Sequence, residues 1–307
     1  MRIGDILLAL VAMILWGLNF AVAKLALAEF PPILLAALRF TLVAAVLLPF
    51  CPRPPRLRQI VALAGTLGLL HFPMVFSGLS LLDASTSAIV LQLQVPFGVV
   101  MAALLLGEKL SWRHFAGMAL AFGGVALIAG APRLEANRHG LLFLLTAAAA
   151  WGLATVQLKA IKPVGPLTLN AWLGLFMAVE LFAISFLAEG APVRYILAAS
   201  WHGWIGVAYT ALLSTIAAFG LWARLVSRYT VGQTMPFMLT IPLFAVIGGV
   251  ILNGDRITPD IAGGGLLTIA GVALIVLKRG QSAALVEAEA GVAEAGVAEA
   301  AVAGSPS

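Results

Sequence analysis

The chain has 307 residues, of which 62% are hydrophobic and 10% charged, with 18 Lys and Arg against 13 Asp and Glu. Soluble domains carry about 45–50% apolar and about 25% charged residues, so this much apolar surface must be solvated by lipid. A soluble enzyme, a nucleic-acid binder and a disordered scaffold are therefore excluded as readings of the whole chain. The basic excess is scattered singly rather than in runs, which also argues against nucleic acid. The lone cysteine, Cys51, excludes an internal disulfide framework and a cysteine-based metal cluster.

Ten apolar stretches follow one another at 6–28, 33–50, 60–82, 85–106, 115–131, 140–158, 167–187, 203–223, 231–252 and 261–277. Each falls in the range of about 17–25 residues that crosses roughly 30 Å of hydrocarbon as a helix. The fold class expected is an all-α membrane protein of ten transmembrane helices. Breakers punctuate it at Pro31-Pro32, Pro52–Pro55, Gly107-Glu108-Lys109, Pro132-Arg133, Pro163, Pro192 and Gly254-Asp255-Arg256. The first run exceeds a signal-peptide core of about 7–15 residues and reads as a retained helix.

Basic residues orient the bundle. With the N-terminus in the cytoplasm, Arg2, Arg53, Arg56, Arg58, Lys109, Arg113, Lys162, Arg224, Arg228, Lys278 and Arg279 lie inside. Only Arg133, Arg138, Arg194 and Arg256 lie outside, so both termini are expected to be cytoplasmic. Residues 281–307 repeat Gly-Val-Ala-Glu-Ala and read as a disordered cytoplasmic tail.

The chain also resembles itself. Trp16-Gly17-Leu18 recurs as Trp151-Gly152-Leu153 at an offset of 135, which carries Lys24 onto Lys159. Gln92–Phe97 resembles Met238–Leu243 at an offset of 146, and Glu108–Ser111 resembles Asp255–Thr258 at 147. The offset of 147 runs on into Gly124–Ile128, identical to Gly271–Ile275. Two five-helix halves, 1–131 and 138–280, are expected. Five is odd, so the second half enters the membrane inverted. Inverted repeats are a mark of secondary transporters, whose substrate site lies near mid-membrane between the halves. A small-molecule substrate moved by alternating access follows, with the bilayer as the other partner and a monomer or weak homo-oligomer as the assembly.

Trp16-Gly17-x-Asn19-Phe20-x-x-x-Lys24, Arg39-Phe40, Glu108-Lys109 and Trp151-Gly152 together resemble the EamA branch of the drug/metabolite transporter superfamily. The likeness spans about residues 6–278. It implies a ten-helix transporter with a central cavity, similar to bacterial inner-membrane exporters of amino acids and their derivatives, of the O-acetylserine/cysteine exporter kind. The halves differ at two of these places, where Asn19 aligns with Ala154 and Arg39 with Gly174.

Polar groups within the bilayer are costly and tend to face the bundle interior. Trp16 and Asn19, three apart, share a helix face; Trp151, Thr155 and Gln157 are the expected counterparts. Gln92 and Gln94 flank Pro96, with the two glutamines on opposite faces. Thr234, Pro236, Thr240 and Pro242 hold the related ninth span. A proline removes a backbone hydrogen bond, so these helices are expected to bend at gates. His71 and Pro73 are expected to break the third span, as Tyr209, Ser214 and Thr215 do the eighth. Lys24 and Lys159 read as headgroup anchors or charged gates. Arg39 lies deeper and requires an acceptor, either helix-terminal carbonyls or a substrate carboxylate. Glu180 is the carboxylate well inside a span. Gly117, Gly123, Gly124, Gly263, Gly264, Gly265 and Gly271 suit close helix contact.

No phosphate-binding glycine loop and no His-Glu-x-x-His spacing occurs, so an ATP-driven pump, a cofactor and a metal are not expected. The rival cargoes on the same fold are cationic drugs or sugars. A non-transporting membrane subunit or intramembrane enzyme is the rival of another class.

Overall fold

The computed structural model describes residues 2–129, 137–161, 164–226, 228–229, 234 and 237–276, without the side chains of 159, 160 and 226. Among the described residues every regular element is helical. In chain order the long helices are α1 (Ile3–Ala26), α2 (Pro32–Phe50), α3 (Leu57–Leu81), α4 (Ala84–Leu106), α5 (Trp112–Ala129), α6 (Arg138–Leu158), α7 (Pro166–Ala188), α8 (Trp201–Leu225), α9 (Ile241–Asn253) and α10 (Pro259–Val276). Nine of them are long and apolar enough to cross a membrane; α9 is apolar but shorter. A short helix, Pro192–Ala198, lies between α7 and α8. Pro236, part of the expected ninth span and the tail 281–307 fall outside the described residues.

Apart from α9, the helices start one to three residues before their apolar runs. Pro32, Pro166 and Pro259 each open one, since the missing N–H is harmless in a first turn. Gly107 after α4 and Gly254 after α9 stop their helices in the left-handed region, at φ 70° and 69°. They stand 147 residues apart.

Neighbouring helices are α5 with α10, α2 with α7, α4 with α6, α1 with α9, α3 with α6 and α1 with α8. The α5–α10 pair is the tightest by design of its small residues: a Cβ on Gly271 would sit 2.5 Å from the Gly117 carbonyl oxygen. Lipid tails are as apolar as leucine, so such backbone approach, rather than burial from water, drives the association. Gly123 and Gly263 do not share this role, because their nearest neighbours are leucine methyls at 3.9 and 3.7 Å. Two contacts fall at or one residue from repeat-equivalent positions. Thr268 Oγ1 lies 3.4 Å from the carbonyl of Ala121, 147 positions earlier. A Cβ on Gly174 would lie 3.2 Å from the carbonyl of Phe40.

The bundle has two distinguishable ends. Glu29, Lys24, Leu82, Ser85, Glu189, Ser200 and Asp255 meet at one. At the other, Tyr229 Oη donates to buried Asp5 at 2.6 Å, and Trp172 Nε1 donates to the Pro52 carbonyl at 2.9 Å.

Candidate functional site

Two helices carry a π-helical turn at matching places: Thr66–His71 in α3 and Tyr209–Ala217 in α8. Such a turn inserts an extra residue, shifts the helix face and recurs at functional sites. In α3 it absorbs the N–H missing at Pro73, so the helix runs on through Leu81. The break expected at His71 and Pro73 is thus a bulge in a continuous helix.

Each bulge receives a tryptophan. The Trp16 Nε1–H donates to the Ser214 carbonyl at 2.9 Å, and its ring meets Phe219 and Trp222 edge-on at 5.1 and 5.8 Å. Tyr209 Oη donates to the Leu15 carbonyl at 3.2 Å. On the other side the Trp151 ring lies 4.9 Å from His71. His71 is buried, with Nδ1 2.8 Å from the Ala147 carbonyl. A carbonyl only accepts, so Nδ1 carries the proton and Nε2 remains an acceptor in the neutral ring.

Arg39 reaches this region from α2. It is 6% exposed, and its Nε donates to Thr215 Oγ1 at 3.0 Å. The guanidinium carbon lies 5.4 Å from the ring centres of both Phe40 and Phe72. In place of the helix-terminal carbonyls expected for Arg39, the acceptor among the described residues is a hydroxyl of the α8 bulge. Glu180 on α7 lies against Gly68 of the α3 bulge, and its Oε2 is buried without a hydrogen-bond donor. Asn19 Oδ1 and Gln157 Oε1 are likewise buried and unpartnered. Thr155 is not drawn in: it is exposed and bonds its own helix at Trp151.

Gln92 and Gln94 do not face opposite sides. Both line one cleft of about 50 Å³, together with Val95, Met238, Leu239, Ile241, Val272 and Val276. Pro96 cannot donate to the Gln92 carbonyl, and residues Leu91–Leu93 tighten into a 3₁₀ turn. Residues two apart diverge by about 120° there instead of about 160° in an α-helix. Across the cleft, Thr240 Oγ1 donates to the Phe237 carbonyl at 2.6 Å just before Pro242 opens α9. Pro96 thus lies within α4 and Pro242 in the first turn of α9, and Thr234 is buried.

Lys24 corrects a second expectation. It does not run along lipid to a headgroup; its Nζ donates to the carbonyls of Leu79, Ser80 and Leu82 at 2.7, 3.2 and 2.7 Å. A cation there satisfies the C-terminal carbonyls of α3. The side chain of Lys159 is outside the described set. Three carboxylates at the same end cap helix N-termini. Glu189 accepts from the Ile33 and Leu34 amides at 2.7 and 2.9 Å. Asp255 Oδ2 accepts from Ser85 N and Oγ at 2.8 and 2.7 Å. Glu29 accepts from Ser200 Oγ at 2.7 Å and from the Ser200 amide. The Ser200 hydroxyl, then its amide, hold the Glu29 carboxyl below the usual carboxylate range. The sequence does not announce these caps, because the partners stand 155–171 residues apart. A local capping box spans three.

A bundle of this many apolar helices, with polar groups gathered at mid-helix bulges, is a multi-pass membrane protein of the transporter class. The sequence matches the EamA-like transporter family twice, over residues 3–130 and 138–277. The chain belongs to that family, and so is a transporter of small molecules across a lipid bilayer. It is 30% identical over 278 residues to a "Probable amino-acid metabolite efflux pump" of Salmonella typhimurium, covering 87% of this chain and 93% of the relative. A protein of the same description from Escherichia coli is 30% identical over 266 residues, covering 83% and 88%. A "Probable terminal-alkyne amino-acid exporter" of Streptantibioticus cattleyicolor is 26% identical, covering 90% and 94%. The fold is shared with a crystal structure of 22% identity at a TM-score of 0.58, covering 90% of this chain and 98% of that one.

Proposed function

We propose that the protein is a secondary transporter of the bacterial inner membrane that exports amino acids or related small amphipathic metabolites. It works by alternating access between two inverted five-helix halves, 1–131 and 138–280. The observation that carries this reading is the reciprocal seating of Trp16 on the α8 bulge and Trp151 on the α3 bulge. Each half's first helix docks on the other half's third, so a rocking motion breaks one junction as it tightens the other.

Inversion is supported by the ends. α1 begins at the Asp5 end, whereas its counterpart α6 begins with Gly140 packed on Leu81 and Leu82 at the opposite one. Residues touch their own counterparts only near a two-fold axis; Ala121 with Thr268 supplies one such point, and Phe40 with Gly174 falls one residue from another. Trp16, Asn19, His71, Gln92, Gln94, Trp151, Gln157, Tyr209 and Thr215 line or border the path, with Pro73, Pro96 and Pro242 at its bends. With both termini cytoplasmic, the Glu29 end faces outward, and its carboxylate caps with Lys24 form the outer gate. The cargo is the class named for the curated relatives.

Labelled amino acids moving through reconstituted vesicles, with and without a pH gradient, test the reading. Saturable flux that falls at least about tenfold in folded Trp16→Ala supports it, tenfold being the scale of about 1.4 kcal/mol lost at the junction. Absence of flux for every amino acid would remove the cargo. A cationic cargo is favoured by one observation, the donor-free Oε2 of Glu180. Flux of organic cations abolished in Glu180→Gln would establish that cargo instead.

A further inference from the structure

A guanidinium in a membrane bundle demands an anion, and among the described residues Arg39 has none. It is 94% buried by the complement of its 6% exposure. Among the described residues its hydrogen-bond partner is the neutral Thr215 hydroxyl, and no carboxylate pairs with it. That hydroxyl donates its own proton to the Thr210 carbonyl at 2.8 Å, five residues back along the bulge. At Arg39 it can therefore only accept, which fixes the guanidinium by its Nε edge. Phe40 and Phe72 flank the carbon face. The Nη1–Nη2 edge is left, a planar pair of donors whose spacing matches a carboxylate bidentately.

We propose that this edge of Arg39 binds the carboxylate of the transported molecule, with Thr215 as the positioning residue. The proposal rests on the transport reading above and narrows its cargo to molecules that present a single carboxylate, amino acids among them. Charge balance selects the class. One guanidinium is neutralised by one carboxylate, whereas a phosphate dianion would leave an excess that no second cation hydrogen-bonded beside Arg39 among the described residues meets. The other basic group close by, His71, has its Nδ1 proton engaged by Ala147. The location agrees, because Phe40 beside Arg39 touches Gly174, its repeat counterpart within one residue, near the axis between the halves. Intramembrane charges held this way are retained for function rather than stability.

The test uses the full chain in vesicles and counterflow of labelled L-alanine, L-cysteine and L-phenylalanine. Each unlabelled amino acid competes as the free acid or as its carboxamide, which keeps shape and loses charge. In the wild type the acid is expected to compete at least about 10-fold better, the scale of one charge-assisted hydrogen bond. Arg39→Gln should bring the two within about 2-fold of each other, and Arg39→Lys should fall between, keeping charge without the fork. Thr215→Val should erode the preference less than Arg39→Gln. Equal competition in the wild type, or an undiminished preference in folded Arg39→Gln, overturns the carboxylate contact and leaves the exporter reading standing. Should no amino acid be carried, the exporter reading fails, and thermal shift with acetate, pyruvate and benzoate judges Arg39 alone. Stabilisation by these acids that is lost in Arg39→Gln upholds the contact; no stabilisation in the wild type overturns it.

Discussion

At the Trp16 junction an indole donates to a bulge carbonyl, and the surroundings are Phe219 and Trp222. At the Trp151 junction the bulge instead presents His71, and Arg39 lies between the two bulges, against Phe72 beside one and bonded to Thr215 of the other. The position equivalent to Arg39 is Gly174, whose missing side chain lets α7 lie against the backbone of α2. The plan of the two junctions is common, while the imidazole is found at one and the guanidinium bridges both. In the proposed exporter, duplication supplies a scaffold that rocks, and divergence supplies a single guanidinium, which is what a cargo with one carboxylate requires.

Restoring symmetry should be the most damaging change. Gly174→Arg would push a side chain into Phe40 and Ala44, where even a Cβ lies 3.2 Å from a carbonyl. Overpacking costs about 1–3 kcal/mol and an uncompensated buried charge several more. Loss of folded protein on size exclusion, or a steep fall in Tm, is the expected result; unchanged melting would mean α2 and α7 are not so closely seated. Thr215→Val comes next, leaving Arg39 without its bond and costing about 1–3 kcal/mol. Thr155→Val, on the exposed side of α6, should stay within about 0.5 kcal/mol, so melting of the pair compares a junction residue with a bystander. A finer difference separates the tryptophans. Trp16→Phe removes the bond to Ser214 and should lower stability by about 0.6–1 kcal/mol more than Trp151→Phe. Equal losses would show that ring packing alone holds both.

The smallest expected effect is at the Glu29 end. The Glu29 carboxyl is held below its ordinary value by Ser200, so its contribution is complete above the unfolded carboxylate range. It disappears as pH falls through the lowered folded value. Melting curves between pH 7 and 3 should show a slight acid-side loss that Glu29→Gln and Ser200→Ala both remove.

Hydropathy and charge make the helices readable because lipid imposes length and composition on every span. Even so, α3 begins at Leu57 and α5 at Trp112, three residues before their apolar runs, since a first turn tolerates polar and basic residues at the membrane surface. Register within a helix is another matter. The bulges at Thr66–His71 and Tyr209–Ala217 change which faces meet without changing composition, and the 3₁₀ turn at Leu91–Leu93 turned Gln92 and Gln94 onto one cleft. His71 beside Pro73 flagged the first bulge as a disturbance but not its kind. Lys24 was conspicuous as a charge, yet its three carbonyl partners lie 55–58 residues away, beyond any local pattern.

Opposed insertion of the two halves can be measured at Lys109 and Arg256, exposed residues 147 apart in the loops after α4 and α9. In a Cys51→Ser chain, Lys109→Cys and Arg256→Cys are treated in intact cells with a membrane-impermeant maleimide. Arg256→Cys should label at once and Lys109→Cys only after permeabilisation. Labelling of both from the same side would contradict the inverted arrangement.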